Sequence, residues 1–161
     1  MRAPTLAFAL LALAAAFASP AAAQDGDERA GYYYPLTTST EVFSRTLAPT
    51  PDANRAVRIG FVTQVTQQQL QAPATPRYVM FAKGGDADEM IIIALDDQLF
   101  ASLFRARAVM AQLSAPARQT AFFIEKQLAE IATFYDMLKI MGFKSLTLSD
   151  GISWTHRVEF H

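Results

Sequence analysis

The sequence predicts an α+β domain: a mainly antiparallel sheet of four to five strands with about three helices packed on one face. Two short apolar runs, 77–82 and 90–95, are separated by a polar segment and have the length of buried strands. Residues 146–160 alternate between apolar and polar types, as in a half-buried strand, whereas the apolar residues of 99–113 recur at helical spacing. Strand and helix patterns in one chain without internal repeats favour this fold class.

The first 23 residues predict a cleavable secretory signal peptide. A positively charged start precedes the apolar run 6–17, whose 12 residues are fewer than the roughly 20 that a membrane-spanning helix needs. Small residues follow, with Ala21 and Ala23 forming the pair that a signal peptidase accepts. An uncleaved anchor or a buried N-terminal helix is the alternative. We therefore expect an exported protein, periplasmic or secreted, whose mature chain begins near Gln24.

The mature part, residues 24–161, has the size of a single domain and must fold without disulfides, because the sequence contains no cysteine. Its first residues, 24–30, are polar and acidic and predict a flexible leader. The whole chain has 14 basic and 15 acidic side chains, and Arg2 leaves with the signal, so the net charge falls from −1 to about −2. This balance argues against nucleic-acid binding. After signal cleavage we expect no membrane span.

The first elements of the domain are an edge strand and a helix. Residues 37–47 predict an edge strand or extended arm, because strand-forming residues lie between two prolines. Thr50 can cap a helix that we expect to extend to about Leu70. Gly60 and several β-branched residues weaken this helix, and a strand at 57–66 is the alternative.

The two apolar runs predict an antiparallel hairpin of central strands. After it, Asp96 and Asp97 begin a helix that we expect to end at Pro116. Residues 120–128 stay ambiguous between a strand and the first turn of a long helix.

A further helix is predicted from about Glu130 to Met141. Thr133 and Asp136 have the spacing of a capping box, with Asp in place of the usual Glu. Gly142 is placed to adopt the left-handed conformation that commonly ends a helix.

The C-terminal residues predict a β-hairpin with the three-residue turn Ser149-Asp150-Gly151, whose glycine takes a positive φ. This turn sets Leu148 against Ile152 and keeps the apolar side chains on one face, whereas a two-residue Asp-Gly turn would mix the faces. The next pair in this register is Leu146 with Trp154.

The candidate binding residues are Tyr32, Tyr34 and His156. Exposed tyrosines suit partner or sugar binding, although an ordinary edge strand fixed by aromatic residues is the simpler reading. His156 falls on the apolar face of the last strand, where a core or rim histidine bonded to the backbone is favoured over a ligand or a base. Arg105 and Arg107 are two apart on a helix, so we expect them to be solvated.

The sequence predicts no catalytic residues, no metal site and no cofactor. Two histidines without cysteine argue against structural zinc, and the acidic segment 84–89 lacks the ordered ligand set of a calcium-binding EF-hand loop. Ser39 and the other serines lie outside Gly-x-Ser-x-Gly and Ser-x-x-Lys motifs. A Ser-His-Asp arrangement would have to use His156, with Asp150 as its third member.

Four segments carry a family resemblance: Gly31-Tyr32-Tyr33-Tyr34-Pro35, Phe81-Ala82-Lys83-Gly84, Met141-Gly142-Phe143 and Ser149-Asp150-Gly151. With them the chain resembles a group of short exported bacterial proteins of unknown function, over most of the mature part. Members sometimes carry the label "molybdopterin-guanine dinucleotide biosynthesis protein A", which implies an accessory protein or enzyme of that cofactor's metabolism. The Gly-rich loop with Arg and Lys that opens the guanylyltransferase family is missing here, so no catalytic residues transfer.

These observations together predict an exported, non-catalytic binding or accessory domain in the periplasm. Its partner would be a protein or a small-molecule ligand. An enzyme or cofactor-pathway accessory whose site is assembled from scattered polar residues is the second hypothesis.

Overall fold

The computed structural model describes residues 36–96, 98–127 and 133–161. The predicted signal peptide, the predicted leader and the candidate residues Tyr32 and Tyr34 lie outside this part of the chain. Within it, the prediction of an α+β fold with up to five strands is confirmed, because five strands form one sheet and accompany four helices.

The described elements alternate along the chain. The strands are β1 (Ser39–Phe43), β2 (Tyr78–Lys83), β3 (Glu89–Ala94), β4 (Ser145–Ser149) and β5 (Thr155–Phe160). The helices are α1 (Arg55–Gln71), α2 (Leu103–Arg118), α3 (Ala121–Glu125) and α4 (Phe134–Ile140).

The sheet is mixed, so the prediction of a mainly antiparallel sheet is wrong. Its strand order is β1-β5-β4-β3-β2. The pairs β2–β3 and β4–β5 are antiparallel, as expected for neighbours joined by short loops, whereas β3–β4 and β1–β5 are parallel. The β3–β4 pair is parallel because a long helical connection returns the chain to the same end of the sheet, whereas β1 and β5 are paired across most of the described chain.

One face of the sheet carries the apolar core. Alternate side chains of β3, β4 and β5 are buried there together with residues from all four helices. The central contributors include Met90, Ile92, Leu146, Leu148, Val158, Phe61, Met110, Phe123 and Met137. This packing fixes β5 beneath the helices, and thereby fixes the side chains that β5 presents toward them.

The N-terminal elements match the prediction in type but not in every boundary. The edge strand is confirmed as β1, and the segment after it is a helix rather than the alternative strand. The helix begins at Arg55 and not at Thr50, because the side chain of Asn54 accepts a hydrogen bond from the N–H of Val57 at 3.1 Å. Thr50 instead precedes a turn that the N–H of Ala53 closes by donating to its carbonyl oxygen.

Both predicted ends of α2 are wrong. Asp96 does not cap the helix, because its carboxylate accepts from the N–H of Gln98 and pairs with Arg77. Ser102 is the N-cap, and its hydroxyl accepts from the N–H of Arg105. Pro116 does not end the helix, which continues to Arg118. Pro116 has no N–H to donate within the helix, and the helix continues for only two residues beyond it.

The ambiguous residues 120–128 include the short helix α3. The last helix begins at Phe134 within the described chain, and the expected start near Glu130 lies outside it. The capping box of Thr133 and Asp136 is confirmed in both directions. Gly142 has φ +74°, as predicted for the residue that ends the helix.

The register of the β4–β5 hairpin is wrong, although its antiparallel pairing is confirmed. Leu148 lies opposite His156 rather than Ile152. A wider loop forms because the Asp150 carboxylate accepts from the N–H groups of Ile152, Ser153 and Trp154 at 2.9, 2.9 and 2.8 Å. The shift moves the pairing by an even number of residues, so the facing of β5 side chains is preserved.

Candidate functional site

His156 lies on the helix-facing side of β5 and is only 3% exposed. It is thus on the apolar face, as its position in the alternation predicts. The indole of Trp154 stacks against its ring, with centroids 5.9 Å apart and planes 17° apart. Trp154 in turn contacts Phe100 at a centroid distance of 6.2 Å. The imidazole is therefore held by aromatic packing, and its polar edges need partners nearby.

Ser39 supplies the first partner. The parallel pairing of β1 with β5 sets Ser39 beside His156, and the Ser39 Oγ lies 2.8 Å from the His156 Nδ1. Ser39 itself is exposed, because β1 is the edge strand of the described sheet. An exposed residue of the edge strand thus contacts a buried imidazole.

Glu41 supplies the second partner. It lies two residues further along β1, hence on the same face as Ser39. Its Oε2 is 3.5 Å from the His156 Nε2 and 2.8 Å from an Nη of Arg107 on α2. The hydrogen bond from Arg107, and the attraction of the carboxylate, raise the pKa of that guanidinium. Arg107 is 59% exposed, as expected for a solvated side chain, and it also pairs with Glu41.

The carboxylate selects one tautomer of His156. An ionised carboxylate only accepts hydrogen bonds, so an unprotonated Nε2 facing Glu41 would place two acceptors against each other. Nε2 is buried and forms no hydrogen bond among the described residues. Two acceptors facing each other there would have no donor to offset their repulsion, which is costly in a buried place. The proton accordingly belongs on Nε2, and Nδ1 accepts the hydrogen bond from the Ser39 hydroxyl.

Tyr135 borders the same carboxylate. Its ring packs edge-on against Phe43 and Phe160, at centroid distances of 5.3 and 6.1 Å. Burial and the negative charge of Glu41 raise the pKa of Tyr135 to about 12. The phenol therefore stays neutral at physiological pH and adds no second negative charge to the cluster.

Asp150 is not a member of this cluster. Its carboxylate holds the β4–β5 loop through three main-chain N–H groups. Burial raises the pKa of Asp150, but these three N–H donors and the Ser153 hydroxyl have a larger, opposite effect. The pKa of Asp150 therefore lies below its ordinary value. The carboxylate near His156 is Glu41, not Asp150.

The structure also has an open depression of about 560 Å³ lined by residues 44–48, Lys139 and His161. Its cations are engaged: the Lys139 ammonium donates to the carbonyl oxygens of Arg45 and His161, and Arg45 pairs with Asp136 at 2.5 Å. These contacts fix the chain rather than leave a charge for an anion.

The acidic segment 84–89 likewise serves the fold. Asp88 is buried and pairs with Lys144 at 2.7 Å, and the carbonyl oxygen of Asp86 accepts two N–H groups of Arg58. Within the described ranges, no group of three or more His, Asp or Glu side chains is placed to hold a metal ion.

The sequence could not identify this cluster. Ser39 and Glu41 are separated from His156 by more than a hundred residues, and only the β1–β5 pairing joins them. The one local signal is the Ser-x-Glu spacing, which puts both side chains on one face of a strand. Of the predicted binding residues, the structure places only His156.

Chemically, the cluster is a hydroxyl, an imidazole and a carboxylate in series, which can hold and move a proton. In comparisons with known proteins, no family model, no curated protein and no solved structure matches the chain.

Proposed function

We propose that this chain is an exported protein whose mature part binds a ligand or protein partner in the periplasm. The brief apolar run near the N-terminus, followed by small residues, supports export. Within the described ranges, every helix is too short or too polar to cross a membrane.

The binding surface we propose surrounds the start of β5 and is termed the Trp154 surface. It consists of Leu36, Phe104, Ile152 and Trp154. Trp154 covers His156, and Ile152 lies two residues before it in the β4–β5 loop. Leu36 lies two residues before Thr38, which is hydrogen-bonded to Thr155.

Phe104 is the observation that carries the proposal. It is 83% exposed on the first turn of α2, where a smaller or polar residue would avoid contact between an apolar ring and water. It precedes Arg107 by three residues and therefore shares its side of the helix, next to Glu41. Ile152 and Leu36 are 81% and 77% exposed. We propose that these side chains form one apolar patch, of the kind that marks interaction sites.

Export is tested by recovering the protein from the periplasm and sequencing its N-terminus. We expect a chain that begins near Gln24. Intact Met1 on protein recovered from the cytosol would contradict the proposal.

Binding is tested by placing a photo-crosslinking residue at position 104 and, as a matched control, at Leu70. Leu70 is also an exposed helical side chain, 67% exposed, but belongs to α1. We expect a discrete adduct in the envelope fraction from position 104 and none from position 70. Equal or absent crosslinking at both positions would count against the Trp154 surface.

A further inference from the structure

We infer that Ser39 is a nucleophile that takes an acyl group from a carboxylic ester, with His156 as its general base and Glu41 positioning the imidazole. This reaction rests on the proposed binding function, because the Trp154 surface would hold the apolar part of the ester. It goes beyond binding, since a covalent intermediate forms.

The direction of the Ser39–His156 hydrogen bond is the first support. Because Glu41 keeps the proton on Nε2, the Ser39 hydroxyl donates to Nδ1 across 2.8 Å. A hydroxyl that already donates to a neutral imidazole is arranged to lose its proton to that imidazole as it attacks.

The surrounding charges support the same role. The imidazolium formed on proton transfer would lie 3.5 Å from the Glu41 carboxylate, which also pairs with Arg107. Burial of His156 strengthens this attraction, because little water screens it. Tyr135 stays neutral and therefore does not draw the positive charge of the imidazolium away from Glu41.

Access also fits a nucleophile. His156 is almost wholly buried, and Trp154 covers its ring, whereas Ser39 is exposed. The exposure of Ser39 lets an ester approach this residue from solvent while its base stays protected. A histidine with a purely structural role needs only a buried hydrogen-bond partner, whereas the partner of His156 is an exposed serine.

The edge of the sheet offers a donor for the negative charge that develops on the carbonyl oxygen. The N–H of His161 donates to the carbonyl oxygen of Phe43, so the main-chain groups of Phe43 point toward β5. Main-chain groups alternate in direction along a strand, so those of Thr40 point toward the open edge of the described sheet. The Thr40 N–H follows the nucleophile by one peptide unit and can serve as an oxyanion donor.

The proposed step conserves atoms and charge. The Ser39 Oγ forms a bond to the acyl carbon as its proton passes to the His156 Nδ1. The bond from the acyl carbon to the alcohol oxygen breaks, and the leaving alkoxide takes the proton from Nδ1. Water then attacks the acyl-serine by the same route and releases a carboxylic acid, which restores Ser39.

The experiment uses the purified exported protein with p-nitrophenyl butyrate and a fluorophosphonate probe. We expect an initial burst of p-nitrophenol, and mass spectrometry should locate the covalent adduct on Ser39. Ser39→Ala should abolish both signals, whereas Ser44→Ala, which removes another exposed serine just beyond β1, should change neither.

Two further variants test the base and its positioning residue. His156→Gln should slow labelling by about 100-fold or more, the usual contribution of a general base. Glu41→Gln should slow it less and move the midpoint of the pH–rate profile to lower pH, a change that a purely structural role would not cause. Circular dichroism establishes that each variant is folded, and if His156→Gln is not, Ser39→Ala alone decides.

The possible results separate the reaction from the binding proposal. Absence of an adduct on Ser39, or unchanged labelling of Ser39→Ala, would overturn the acyl-transfer inference, even where crosslinking from position 104 succeeds. An adduct on Ser39 whose rate is insensitive to Phe104→Ser would support the nucleophile and instead count against the Trp154 surface.

Discussion

The guanidinium of Arg58 donates a hydrogen bond to the carbonyl oxygen of Met141, 3.1 Å away, at the end of α4. The same side chain, only 7% exposed, also donates twice to the carbonyl oxygen of Asp86. One residue of α1 thus joins the β2–β3 loop to the last helix, and its loss would remove these donors from the carbonyl oxygens of Asp86 and of the buried Met141.

Arg58→Met should therefore lower the free energy of unfolding by about 2–3 kcal/mol, because three charge-assisted bonds from a buried guanidinium are lost while the volume is largely kept. Urea unfolding of the variant beside Arg55→Met measures this. Arg55 is exposed in the first turn of the same helix, and its replacement should have little effect. Equal loss in both variants would show that Arg58 has no special role.

Gly151→Val should destabilise the protein by at least about 1 kcal/mol, because Gly151 has φ +77° and a β-branched residue is strained there. The space itself is adequate, since an added Cβ would lie 3.4 Å from the Ile93 Cγ2.

Gly60→Ala should act in the opposite sense and stabilise by about 0.5–1 kcal/mol, because Gly60 lies inside α1 with nothing within 4 Å of the new methyl. Thermal unfolding of Gly151→Val and Gly60→Ala measures both effects. An unchanged melting temperature for Gly151→Val would contradict the strain expected at that position.

Asp136 should make stability depend on pH. Burial raises its pKa, but the donors of Thr133 and the guanidinium of Arg45 lower it more, so the folded pKa lies below the ordinary value. A lowered pKa means that the carboxylate stabilises the fold above the unfolded pKa of about 4 and loses this contribution as pH falls through the folded pKa.

Asp136→Asn should accordingly cost about 1–2 kcal/mol at pH 7, and the difference from the natural protein should shrink below about pH 4. Urea unfolding at pH 7, 5 and 3 measures both effects. Asp52→Asn is the control, because Asp52 is exposed and should contribute little at any pH. A difference that stays constant down to pH 3 would contradict the assigned role.

Phe104→Ser should leave the free energy of unfolding within about 0.5 kcal/mol of its original value, because the ring is 83% exposed. Phe100→Ala should cost about 3–5 kcal/mol, since Phe100 is fully buried against Trp154. Calorimetry of both variants separates a ring used for folding from one available for binding. A large loss of stability in Phe104→Ser would mean that the ring packs within the fold.

Local chemistry predicted much of this fold. The β2–β3 hairpin, the capping box at Thr133 and the positive φ of Gly142 and Gly151 follow from residues close together in sequence. The register of the β4–β5 hairpin could not be predicted in this way, because three hydrogen bonds to one Asp150 carboxylate outweigh the preference for a shorter turn.

The candidate site lies beyond such reasoning. His156 was identified as a polar residue on an apolar face, but its partners come from β1, and a strand's neighbour in a sheet is a tertiary choice. Parallel pairing of distant strands has no turn signal to announce it. Ser39 and Glu41 consequently look like any alternating polar residues of an edge strand until β1 is placed beside β5.

That placement also has a consequence for how the chain reaches its native state. Ser39–Phe43 and Thr155–Phe160 are neighbours in the sheet but are made at opposite ends of synthesis. Closing so long an intervening loop is slow, so the sheet acquires its outer strand late. If the chain is exported, as we propose, before β1 pairs with β5, the serine, imidazole and carboxylate meet only after translocation and the precursor is inert in the cytosol.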